Sequence, residues 1–91
     1  MLQTIQITVS GKVQGVFYRH STKEKARALG IKGKVMNLAN GDVQIIATGT
    51  KEQLDDLLKW CQQGPSKAIV TNVNYSELPL QTFDSFNIEK L

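Results

Sequence analysis

With one cysteine, Cys61, in 91 residues, the chain can form no internal disulfide and no cysteine-based metal cluster. That agrees with a reducing compartment, and the chain reads as cytoplasmic. No apolar run approaches the roughly 18 residues of a membrane span, and the start of the chain lacks a charged region followed by an apolar block. Low-complexity stretches are also missing. Together with an apolar fraction of 41%, this excludes disorder and leaves an ordinary folded protein. The length suffices for one two-layer core, so a single domain over 1–91 is expected.

Aromatic residues are few, at 7%, and show no pattern of paired rings on a sheet surface such as RNA-recognition modules use to stack bases. Lys32-Gly33-Lys34-Val35 begins like an RNA-binding motif but lacks the aromatic positions that follow. Nucleic acid is therefore not an expected partner. The net charge of +3 is modest but unevenly spread. Residues 1–34 hold seven Lys or Arg against one Glu, and residues 35–91 hold four against seven acids. A positive field at one end would attract a small anion. Lys23, Lys25 and Arg27 read more simply as the solvated face of a helix.

Ile5, Ile7 and Val9 alternate with Gln6, Thr8 and Ser10, the period of a half-buried strand. Residues 21–29 suit a helix, with Ser21 as a possible N-cap, Thr22, Ala26 and Leu29 on one side, and Gly30 as the stop. A strand over 31–38, a turn at Asn40-Gly41 and a return strand through Val43, Ile45 and Ala47 form a hairpin. Thr50 and Gln53 form a capping box that opens a second helix, whose apolar stripe is Leu54, Leu57, Leu58 and Cys61. Cys61 is thus a core residue and an inert thiol. Gly64-Pro65 ends that helix; Ile69, Val73 and Tyr75 mark a fourth strand, and Phe86 and Ile88 a short fifth after the break at Pro79.

Between the first strand and the first helix lies Gly11-Lys12-Val13-Gln14-Gly15-Val16-Phe17-Tyr18-Arg19. Glycines let backbone N–H groups converge on one point, a helix N-terminus adds unpaired donors, and an arginine closes the run. This suits a phosphate. A right-handed crossover through the first helix makes strands one and two parallel, so the glycine turn and Asn37 share one sheet edge. With strand three between them, at about 4.8 Å per strand, they lie roughly 10 Å apart.

The run Gly11 to Arg19, the later run Gly33 to Val43, and Gly49 and Gly64-Pro65 after them resemble the acylphosphatase family over nearly the whole chain. The resemblance implies an α+β, ferredoxin-like βαββαβ two-layer sandwich. Its sheet would be mostly antiparallel, with a short C-terminal fifth strand and both helices on one face. It implies a metal-independent hydrolase, without cofactor, that cleaves small-molecule acyl phosphates. Arg19 would bind the phosphate, the backbone amides of Gln14, Gly15, Val16, Phe17, Tyr18 and Arg19 would cradle it, and Asn37 would orient the attacking water. A carboxamide can place a water but cannot remove its proton, which would pass to the substrate. His20, beside Arg19 at a helix start, reads as a surface or second-layer residue rather than the base.

Two positions depart from the family pattern. Lys34 stands where the second motif usually has an aromatic ring, and Phe17-Tyr18 replaces a more familiar glycine followed by an aromatic. The cradle is expected to form with Phe17 partly exposed. No heptad or large apolar stripe argues for self-association, so a monomer is expected, with neither membrane nor nucleic acid as partner. The alternative to an enzyme is a non-catalytic phosphate-binding regulatory module.

Overall fold

The computed structural model describes residues 1–90. It comprises β1 (Gln3–Lys12), α1 (Tyr18–Leu29), β2 (Lys32–Asn37), β3 (Val43–Gly49), α2 (Lys51–Gln63), β4 (Ile69–Leu78) and β5 (Phe86–Ile88). The five strands form one sheet in the order β4-β1-β3-β2-β5. Pairing is antiparallel except between β2 and β5. Since β3 is antiparallel to both β1 and β2, those two strands run the same way and end on the same edge. The α+β sandwich expected from the sequence is therefore the observed fold.

Alternation explains the core. Ile5, Ile7 and Val9 of β1 and Val43, Ile45 and Ala47 of β3 are buried beneath the helices. They pack with Ala26 of α1 and Leu54, Leu57 and Cys61 of α2. Burial pushes the Cys61 thiol up to about 12, so it remains a protonated, inert member of that core at neutral pH. The capping box is present in both directions: Gln53 N donates to Thr50 Oγ1 at 3.2 Å and Thr50 N donates to Gln53 Oε1 at 2.8 Å.

One expectation needs correction. Ser21 is not the N-cap of α1; the helix starts one turn earlier, at Tyr18, and Ser21 N donates to Phe17 O at 2.9 Å. The actual cap, Phe17, has left-handed backbone and makes no capping side-chain bond, so preferences for Ser, Thr, Asp or Asn gave no sign of it. In β4, Ile69 and Tyr75 are exposed, whereas Val70 and Val73 pack on the core. The alternation is broken where the β1–β4 register shifts at Ser10/Gly11. Gly11 is required there: at φ +124, an added Cβ would lie 2.1 Å from Ile69 O.

Gly49, beside Thr50, pairs with Gln3 at the start of β1, so the α2 N-cap lies at the opposite end of the sheet from the β1–α1 loop. Thr50→Ala should lower unfolding free energy by about 1 kcal/mol, measured in urea. An unchanged urea midpoint would show that the capping box adds nothing to the stability of α2.

Candidate active site

The segment joining β1 to α1 is held by alternate side chains. Val13, Val16 and Tyr18 are buried, while Gly15 and Phe17 face outward. Tyr18 is the deepest anchor: its ring centroid lies 5.4 Å from that of Trp60, and its Oη donates to Cys61 O at 2.8 Å. Desolvation, the main cause, keeps its phenol protonated far above the ordinary range. These anchors force the intervening backbone outward, and Gly15 (φ +74) and Phe17 (φ +63) take left-handed conformations to achieve it.

Among the described residues, no backbone N–H from Gly15 through Arg19 donates to a protein acceptor. The first turn of α1 contains no acidic residue that would neutralise its N-terminal dipole. A row of free donors at a helix start results, with the half-buried Arg19 among them.

Asn37, the last residue of β2, reaches the same place, as the parallel β1 and β2 require. Gly15, Phe17, Arg19 and Asn37 line a cleft of about 310 Å³. A shallower recess of about 420 Å³ opens beside it, again bounded by Arg19 and Asn37. Asn37 Oδ1 is buried and has no hydrogen-bond partner among the described residues. An acceptor left unpaired there would cost about 1–3 kcal/mol, so its position in the cleft wall suits a donor from a bound water or ligand. Of the residues expected from the sequence, Gly15, Phe17, Tyr18, Arg19 and Asn37 line this cleft, whereas Gln14 and Val16 do not.

His20 touches the cleft, but its Nε2 lies 2.6 Å from Glu24 Oε1 one turn along α1, with both side chains more than half exposed. That pairing fits a surface role. Lys34 pairs with Glu89 at 2.9 Å and Glu89 N donates to Val35 O at 2.8 Å, tying the C-terminal segment along β2. This brings Ile88 and Lys90 into the cleft wall. Sequence reasoning missed both, because only the parallel pairing of β5 with β2 places them there. It also missed the side chain of Gln14, whose Nε2 donates to Leu38 O at 2.8 Å and to Asp42 O at 2.9 Å.

Comparison with known proteins agrees with this geometry. The acylphosphatase family model matches residues 5–88. The chain belongs to the acylphosphatase family. It is 52% identical over 81 residues to an acylphosphatase of Marinobacter nauticus, covering 88% of each chain. The solved acylphosphatase structure from Coxiella burnetii superposes with a TM-score of 0.94 at 41% identity, covering 97% of this chain and 93% of that one. The structure from Bacillus subtilis gives 0.93 at 30% identity, covering 98% and 99%. Among the described residues, no group of three or more His, Cys, Asp or Glu side chains is placed to hold a metal ion, and no helix is long and apolar enough to cross a membrane.

Phe17 carries the left-handed backbone at the N-cap of α1. Its side chain is 78% exposed, so little packing offsets the left-handed backbone. That conformation costs an L-residue about 1–2 kcal/mol, of which the extra chain entropy of glycine returns about half. Phe17→Gly should raise unfolding free energy by about 0.5–1 kcal/mol, read by urea denaturation; a loss of stability would show that the exposed ring stabilises the loop.

Proposed function

We propose that the chain hydrolyses the carboxyl–phosphate bond of small acyl phosphates to carboxylate and inorganic phosphate without a metal ion. The free N–H groups of the 14–19 segment and the Arg19 guanidinium hold the phosphate oxygens, and Asn37 positions the attacking water. The observation that carries this reading is the unpartnered, buried Asn37 Oδ1 in the wall of the cleft that Arg19 and the loop share. Its carbonyl accepts a water O–H and points the water's lone pair at phosphorus. A purely anion-holding site has no use for an acceptor there.

The chemistry suits these modest tools. An acyl phosphate is a mixed anhydride whose leaving carboxylate is stable as an anion at neutral pH, so no general acid is needed. The new O–P bond forms in line with the breaking P–O bond, and the electron pair of that bond leaves on the carboxylate. The water proton passes to a phosphate oxygen. Fixed N–H dipoles and the planar Arg19 fork meet the charge on the equatorial oxygens without reorganising. Catalysis is then mostly positioning. His20, occupied by Glu24, has no step to perform.

Steady hydrolysis of benzoyl phosphate in the presence of a chelator tests the reading, and phosphate binding without turnover would favour a regulatory module instead. Arg19→Ala should cost about 3 kcal/mol of transition-state stabilisation, about 10²-fold in kcat/KM; near-normal activity would remove Arg19 from its role. Asn37→Ala should lower kcat while leaving inhibition by inorganic phosphate intact. If that inhibition weakens in step, Asn37 is a binding residue.

A further inference from the structure

The two halves of the site come from separate parts of the sheet edge, the loop after β1 and the end of β2. One side chain joins them. The Gln14 carboxamide spends both of its N–H donors on the β2–β3 turn, at 2.8 Å to Leu38 O and 2.9 Å to Asp42 O. Those two carbonyls stand at the two ends of the turn, which Leu38 N closes by donating to Asp42 O at 2.8 Å. Leu38 directly follows Asn37. Gln14 directly precedes the outward-facing part of the loop at Gly15.

On the hydrolytic reading of the site, we propose that the Gln14 side chain is a positioning residue. It fixes the distance between the loop that holds phosphorus and the Asn37 carboxamide that holds the water. In-line attack is steep in that distance: a misplacement of about 1 Å costs about 10²-fold. The sheet links the two segments only indirectly, through β3, which pairs Val9 of β1 and Asn37 of β2 to the same Val43, whereas Gln14 joins the loop itself to the β2–β3 turn.

The turn does not need Gln14 for its own hydrogen bonding. Leu38 O also accepts from Gly41 N at 3.2 Å, and Asp42 O also accepts from Leu38 N. Removing the carboxamide therefore leaves neither carbonyl orphaned, which separates a positioning role from a folding role. Gln14→Met keeps the length and volume of the side chain while deleting both donors.

The test is a double-mutant cycle on benzoyl phosphate, with wild type, Gln14→Met, Asn37→Ala and the double variant compared for kcat, KM and inhibition by inorganic phosphate. Gln14→Met should lower kcat by about 10²-fold with KM and phosphate inhibition near wild type. In the Asn37→Ala background the same substitution should lower kcat by less than about twofold, because the group it positions is gone. Equal losses in both backgrounds, or a loss carried by phosphate affinity, would overturn the proposal. If Gln14→Met does not fold, Gln14→Asn withdraws the donors by one methylene and completes the same cycle. A wild-type protein that does not turn over benzoyl phosphate would instead defeat the hydrolytic reading itself.

Discussion

The burial of Tyr18 is the constraint on which the site depends. It is among the largest fully buried side chains, and it is also the first residue of α1 and the neighbour of the most strained residue in the loop. Its ring against Trp60 and its hydroxyl on Cys61 O fasten the start of α1 to the α2 side of the core. An aromatic side chain buried this completely contributes several kcal/mol in area and pairing. That exceeds the cost of one left-handed Phe17, so the loop holds a shape its own sequence disfavours.

What the anchoring yields is unsatisfied backbone. The N–H groups from Gly15 to Arg19 have no protein acceptor among the described residues, and the helix that begins there has neither a side-chain cap nor an acidic first turn. The other helix shows the ordinary solution, a full capping box and Glu52 in the first turn. The same fold therefore finishes one helix start internally and leaves the other open to an anion, with Arg19 beside it. That contrast within one molecule supports the proposed binding edge without reference to any relative.

Much of this was legible beforehand. Period-two alternation identified β1 and β3, Asn40-Gly41 the hairpin, and Thr50 with Gln53 the start of α2, because each is a local pattern with a local cause. The shared edge of Arg19 and Asn37 followed from crossover handedness alone. The failures have non-local causes. The start of α1 is set by Tyr18 entering a core shared with α2 residues. Gln14 was visible only as a loop residue, since its partners lie 24 and 28 positions away. Lys34 shows the same limit: its partner Glu89 becomes a neighbour only through the parallel pairing of β5.

These long-range links bear on why a small fold supports hydrolysis and not only capture. A helix start and an arginine are enough to hold phosphate, and both lie within one short stretch of chain. Attack requires a second group at a fixed distance and angle, and it must come from a different strand, because a water in line with the leaving group stands on the far side of phosphorus. The β1–β3–β2 order supplies that strand across one intervening neighbour. The sheet sets this separation through two ladders, β1–β3 and β3–β2, while the Gln14 carboxamide crosses it directly. Within the proposed mechanism, the acyl group lies outside this braced frame, toward the more open recess beside Arg19 and Asn37. On that proposed mechanism, precision is concentrated on phosphorus and the water, so the group common to all acyl phosphates would be gripped and the variable part loosely held.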